Sequence, residues 1–371
     1  MNRLLWTTVL SLSLASASQA STVDELTGFV TLGDSLSDDG KLDGFIAPPS
    51  FEGRFTNGRV WAEIFGDTFT EAGKNTLNLA LAGATAGDQD SDVPDALQSL
   101  TTLGGQVATL AGSGLVDSFG DNPLVSVLIG ANDLFDGLAD IFFDPFDVAR
   151  NVGDGIRAVA GLGDQYDDFL VINVPDLTLT PAFGEAARLE AEATGNILDI
   201  LLQRVTAERA QSLSLAYQIA LEEEVEDLIA EGLAVTLVDQ TEVFFDLLDE
   251  TDPTRVETVL PCTRFMIEPD LEDNCAVVGV DQNGLPIIDI SVADGFIWAD
   301  AVHPSQALHQ ALAEDLTELY ADVLPAPIPL PAALPPMLFI FVWLAVRRKT
   351  NPWRRIALQT ATSGTTKARA L

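Results

Sequence analysis

The sequence predicts an α/β protein organised on a parallel sheet with helices on both faces. Short apolar runs alternate with longer helix-compatible stretches, the order expected when each strand is followed by a helical crossover. The runs are nearly continuous in apolar residues, as strands buried on both faces must be, instead of alternating as in a half-exposed sheet. With 371 residues and 47% hydrophobic content, the chain can enclose one large core or two smaller ones.

The elements follow in order. Residues 1–20 place Arg3 ahead of an apolar run over 4–14 and end on Ser18-Gln19-Ala20, the three-part plan of a secretory signal with cleavage after Ala20. That run is far short of the roughly 20 residues a spanning helix needs. Strands are expected at 29–32, 77–81, 124–129, 169–174 and 234–238. Several lead into loops carrying Gly, Asp, Ser or Asn, where open parallel sheets place their sites. Between 185 and 232 the chain is rich in Ala, Leu, Glu and Gln without proline, and Ile197, Leu201 and Val205 recur at helical spacing. This predicts one or two long amphipathic helices. A last helix is expected over 305–323, opened by Pro304-Ser305. There is no internal repeat, so the body reads as one domain over 21–324.

The character changes at Leu324. A proline-rich link over 325–336 leads to an apolar run over 337–346 and then to Arg347-Arg348-Lys349. A short run followed by positive charge fits a stop-transfer segment or tail anchor.

The formal charge is −37, from 19 Lys and Arg against 56 Asp and Glu. Seven of the basic residues lie beyond 346 and one is Arg3, so 21–324 holds 11 of them with all 56 acids. Such a surface repels nucleic acid and keeps an exported protein soluble, salty surroundings included. Cys262 and Cys275 are the only cysteines and are expected to pair after export, a metal site needing more ligands nearby. Asp88-Gln89-Asp90-Ser91-Asp92 begins like a calcium loop, but Val93 and Ser99 stand where Gly and Glu are required, so it reads as a solvated acidic loop.

His303 and His309 are the only histidines, which confines any imidazole chemistry to two positions. Gly33-Asp34-Ser35-Leu36-Ser37-Asp38 follows the first strand directly and sets Ser35 on a tight turn at its carboxyl end. A serine hydroxyl is inert at neutral pH until a base takes its proton. Asp300-Ala301-Val302-His303-Pro304 supplies that base, with Asp300 three residues ahead to bond Nδ1–H and leave Nε2 facing the serine. His309 lies inside the last helix and reads as structural. Gly83, after the second strand, and Asn132, in Gly130-Ala131-Asn132-Asp133 after the third, could each be plain turn residues. Together with the Ser35 N–H they would give three donors to an oxyanion.

These four blocks in this order resemble the GDSL family, also called SGNH hydrolases, over most of 28–323. Residues 51–61, Phe-Glu-Gly-Arg-Phe-Thr-Asn-Gly-Arg-Val-Trp, and Leu-Val-Ile-Asn-Val-Pro at 170–175 are similar to its plant-like and hemolysin-like branch. The resemblance implies a three-layer α/β/α fold like flavodoxin, a five-stranded parallel sheet and no cofactor. It implies Ser35 as nucleophile, Asp300 and His303 completing the triad, and Ser35, Gly83 and Asn132 as oxyanion donors. The implied reaction is carboxylester hydrolysis through an acyl-serine, on lipid esters, acetylated glycans or small esters. Acyl transfer by the same triad, or an inactive surface or matrix protein keeping the fold, are the alternatives. Ile328-Pro329-Leu330-Pro331-Ala332 resembles the VPLPA variant of the PEP-CTERM sorting segment, with Ile where Val is usual. That resemblance implies export in a Gram-negative bacterium, to the periplasm, cell surface or medium, with transient inner-membrane contact and cleavage by an exosortase-type or rhomboid-type protease.

Overall fold

Five parallel strands, β1 (Gly28–Gly33), β2 (Asn75–Asn78), β3 (Pro123–Leu128), β4 (Asp168–Ile172) and β5 (Ala234–Val238), form one sheet in the order β2-β1-β3-β4-β5. The computed structural model describes residues 25–87, 95–250, 260–264, 266, 274–283 and 285–321. The expected signal at 1–20, the acidic run 88–92 and the tail from 325 lie outside the described residues. The chain divides into two units, Met1–Leu324 and Pro325–Leu371, and every described residue belongs to the first.

Among the described residues, eight α-helices accompany the sheet: α1 (Trp61–Glu71), α2 (Leu103–Gly112), α3 (Ala131–Gly137), α4 (Pro145–Ala160), α5 (Glu185–Thr194), α6 (Ile197–Glu231), α7 (Gln240–Glu250) and α8 (Gln306–Tyr320). The period-2 alternation of strand side chains divides the core into two layers. Val30, Val125, Val127, Phe169 and Val171 pack on one face against α2, α4 and α6. Phe29, Leu124, Leu128, Leu170 and Ile172 pack on the other against α1, α7 and α8. This is the three-layer arrangement expected, and the run of apolar residues in each central strand is the sum of two buried faces.

The departures from expectation have local causes. β2 starts two residues early, at Asn75, because it is an edge strand whose first residues are solvent-exposed and polar. The expected apolar segment still bonds to β1, through Leu79 N to the Thr31 carbonyl at 2.9 Å and Leu81 N to Gly33 at 3.1 Å. β5 is the opposite edge and only half-buried. The helical stretch from 185 breaks into α5 and α6 at Gly195, whose φ of 63° ends the first helix, and Asn196 then caps the second by accepting from Leu198 N. Ile197, Leu201 and Val205, the residues whose spacing announces α6, are exposed and not on its buried face, which is formed further along by Leu213, Tyr217 and Leu221.

An antiparallel hairpin of β6 (Val277–Val280) and β7 (Pro286–Ile288) was not among the expected elements. It follows Cys275, which is disulfide-bonded to Cys262 with Cα atoms 4.9 Å apart. The last helix begins at Gln306, after Ser305, as expected.

Candidate active site

The strand β1 ends by handing the chain to a tight turn. Asp34 fixes it: its Oδ1 accepts the Leu36 N–H at 3.0 Å, and its carbonyl accepts from Ser37 and Asp38. Behind the turn, buried Gln106 of α2 accepts from Gly33 N and donates to the Gly33 carbonyl, both at 2.8 Å. Ser35 thereby stands at the carboxyl edge of the sheet with its side chain mostly buried.

The histidine comes from a loop pinched shut by a bridge between Trp298 and Pro304. The Ala299 and Asp300 N–H groups donate to the His303 carbonyl, and Asp300 Oδ1 accepts from Val302 N and His303 N. The backbone thus folds Asp300 under its own imidazole. His303 Nδ1 lies 2.9 Å from both Asp300 oxygens, and Nε2 lies 2.9 Å from Ser35 Oγ. With Nδ1–H donating to the carboxylate, Nε2 accepts the serine O–H. Phe55 covers the ring, centroids 4.7 Å apart. Asn57 accepts from the first α8 amide, Gln306 N, and donates to Asp294, tying the segment carrying Phe55 to the histidine loop.

Gly83 lies on an exposed turn with φ of 80°, a left-handed conformation that a side chain would strain. Three motif residues hold that turn from outside. Asp38 Oδ2 accepts Ala82 N at 2.9 Å, Asp133 accepts Ala86 N and Gly87 N, and Asn132 Nδ2 donates to the Ala84 carbonyl at 2.8 Å. Among the described residues, neither Ser35 N nor Gly83 N donates to a protein acceptor. Asn132 itself is delivered by Gly130, which caps α3 at φ 119° with the Tyr217 hydroxyl 2.8 Å from where a Cβ would stand. Only glycine fits there.

Asn132 and His303 line one side of an apolar cavity of about 850 Å³, whose other walls include Phe135, Phe183, Ala186 and Leu189. Phe135 and Phe183 pack together in its wall, centroids 5.8 Å apart. Asp34 and Asp133 are buried at this edge of the sheet. Burial pushes the Asp34 carboxyl up to about 7, against the opposing pull of the Leu36 amide and the His303 imidazole. Burial also raises Asp133, offset by the Ala86 and Gly87 amides. His309 faces the core, and burial pulls its imidazole down to about 3, which keeps it neutral and out of the chemistry. Among the described residues no group of three or more His, Cys, Asp or Glu is arranged to hold a metal ion.

Ser35, Gly83, Asn132, Asp300 and His303 therefore gather at the carboxyl edge of the sheet, whereas His309 and the cysteines lie elsewhere. Phe55, Asn57 and Gln106, and the loop-holding roles of Asp38 and Asp133, were not anticipated. Asp38 and Asp133 stand inside the motif strings, whereas nothing local marks Gln106.

The sequence model of GDSL-like Lipase/Acylhydrolase matches residues 29–316. The chain is 26% identical over 318 residues to the thermolabile hemolysin of Vibrio parahaemolyticus serotype O3:K6, covering 80% of this chain and 64% of that protein. It is 31% identical over 169 residues to phosphatidylcholine-sterol acyltransferase of Aeromonas hydrophila, covering 44% and 48%. It thus spans less than two thirds of the length of either relative. A solved structure from Parabacteroides merdae, described as a GDSL-like lipase, is similar at 11% identity with a TM-score of 0.45, covering 80% of this chain and 95% of that one. The family match takes in the serine, glycine, asparagine and histidine blocks alike, and on that ground the chain belongs to the GDSL-like lipase/acylhydrolase family.

Proposed function

We propose that the protein hydrolyses carboxylic esters through an acyl-serine intermediate. The observation that carries this reading is the continuous hydrogen-bonded line from Ser35 Oγ through the His303 ring to Asp300, each step 2.9 Å, at the rim of an apolar cavity. Ser35 Oγ attacks the ester carbonyl carbon while its proton passes to Nε2, and Asp300 stabilises the resulting imidazolium. The carbonyl oxygen, now negative, accepts from Ser35 N, Gly83 N and Asn132 Nδ2. His303 then returns the proton to the departing alcohol oxygen as the carbon–oxygen bond breaks. A water molecule, deprotonated by the same nitrogen, releases the acid. The apolar cavity fits the acyl chain.

Transfer of the acyl group to an alcohol other than water is the second reading, favoured by the likeness to an enzyme named phosphatidylcholine-sterol acyltransferase. It differs only in what enters after the first alcohol leaves, and a new ester among the products distinguishes it. We also assign residues 1–20 to export and 325–371 to sorting at the membrane, a reading supported by the tripartite signal and by a disulfide suited to an oxidising compartment.

The test is turnover of p-nitrophenyl esters of graded chain length. Ser35→Ala and His303→Ala are expected to lose nearly all activity while remaining folded, and His309→Ala to keep its specific activity in the folded fraction. Substantial turnover by folded Ser35→Ala contradicts the proposal and leaves an interaction protein as the better reading. Equal losses from the two histidine variants contradict the choice of base.

A further inference from the structure

The apolar residues of α6 change sides along its length. From Ala210 to Leu228 the buried residues recur on one face, against the sheet and α4. Ahead of them Ile197, Leu198, Leu201, Leu202 and Val205 stand at i, i+1, i+4, i+5 and i+8, a single stripe turned roughly 150° away from the buried face at 3.6 residues per turn. Each of the five is 48–69% exposed. The opposite side of this half is polar, with Gln203 donating to the Phe183 carbonyl at 3.2 Å. Propensity for helix does not explain the stripe, since polar residues would serve a solvated face as well.

A second apolar feature is fastened beside it. Arg209, one turn after Val205 on the same side, donates through Nη2 to the carbonyls of Gly137 and Asp140 at 3.3 and 2.9 Å. The next two residues of that loop, Ile141 and Phe142, are 82% and 86% exposed. The helices leading into these features, α3 into the loop and α5 into α6, are walls of the apolar cavity through Phe135 and Leu189. Leu189 is itself 44% exposed.

We propose that this surface docks on an uncharged or zwitterionic lipid surface, beside the cavity whose helices carry it. The proposal rests on the ester-hydrolase reading of that cavity. Charge selects the occupant. A second copy would bring its own excess of acids, 56 against 19 basic residues over the whole chain, to meet the same excess here. Of the arginines beside the stripe, Arg188 is paired with Glu185 and Glu192 and Arg204 with Glu208, and Arg209 is turned onto the Gly137 and Asp140 carbonyls, so they form no cationic ring for anionic headgroups. A neutral lipid surface buries the stripe with neither penalty.

The test is flotation of the full chain with phosphatidylcholine vesicles, comparing wild type with the triple variant Leu198→Gln, Leu202→Gln, Phe142→Ser. These side chains are outside the cavity wall and exposed, so the fold and the turnover of p-nitrophenyl acetate in free solution are expected to stay unchanged. The vesicle-bound to free ratio is expected to fall about tenfold or more, as does hydrolysis of a long-chain p-nitrophenyl ester dissolved in the vesicles. Phosphatidylglycerol in the vesicles is expected to weaken binding at low salt. Ser35→Ala is expected to float like wild type, which separates docking from the chemistry. Absence of flotation by wild type, or equal flotation by the triple variant, overturns the proposal. So does a lipid-free wild-type dimer, seen by sedimentation velocity, that the triple substitution dissociates, since it makes the stripe an interface between copies.

Discussion

Replacing Asn132 with alanine removes two interactions of different kinds, and their sizes separate them. One amide hydrogen donates to the Ala84 carbonyl at 2.8 Å, holding the turn that carries Gly83. The bond is partly buried, so its loss costs about 0.5–1.5 kcal/mol of stability and lowers the melting temperature by a few degrees. The second hydrogen is the one proposed to meet the oxyanion formed when Ser35 attacks. Losing one preorganised donor costs about 2.7–4 kcal/mol in the transition state, or roughly a hundredfold to a thousandfold in kcat. Because the ground-state carbonyl gains less from that donor than the oxyanion does, KM should change far less. The assay is steady-state hydrolysis of a p-nitrophenyl ester beside thermal denaturation of the same preparation. A kcat within a few-fold of wild type, with a clearly lower melting temperature, refutes the oxyanion role and leaves Asn132 as a brace for the Gly83 turn.

Two buried groups give stability opposite dependences on pH. The Asp34 carboxyl is raised to about 7, so its contribution is fully present below about 4 and lost as pH rises through 7; relative to wild type, Asp34→Asn should gain about 1.4 kcal/mol per pH unit across that window in denaturant titrations. His309 is lowered to about 3, so its contribution is present above about 6.5 and lost on acidification, and His309→Gln should gain on wild type as pH falls from 6.5 to 5 by about 2 kcal/mol. Parallel curves for wild type and either variant contradict the burial argument for that residue. For the chain ends, mass spectrometry of mature protein should find Ser21 first and no peptide from the basic tail over 347–371. Leu371 in most molecules argues for a retained tail anchor.

The reach of the sequence can be judged residue by residue. Ser35 and His303 were legible because each chemical role needs a particular side chain at a strand end or loop, and Asp300 because three residues bring a carboxylate beneath its own imidazole. The central strands were legible because burial on both faces keeps them mostly apolar, with Thr31, Ser126 and Asp168 the buried polar exceptions. At the sheet edge this signal fails, and β2 opens with exposed Asn75 and Thr76. Gln106 was not legible because its function is to bridge the Gly33 backbone from 73 residues away, and no local pattern encodes that partner. Asp38 and Asp133 were visible in their motifs, but the amides they accept lie 44 and 47 residues off. For α6, periodicity revealed an apolar stripe at Ile197, Leu201 and Val205 without saying what it faces. A helix of 35 residues spans about 50 Å, long enough for one end to pack on a core and the other to leave it.

The central claim is that Ser35 becomes covalently acylated. Intact-mass measurement after treatment with a fluorophosphonate ester, followed by peptide mapping, tests it directly, because the reagent records which nucleophile the His303 base activates. The account predicts one adduct per chain, on the peptide containing Ser35, with loss of esterase activity in step with labelling and no labelling of His303→Ala on the same timescale. An adduct on any other residue, or full inactivation with Ser35 unmodified, contradicts it.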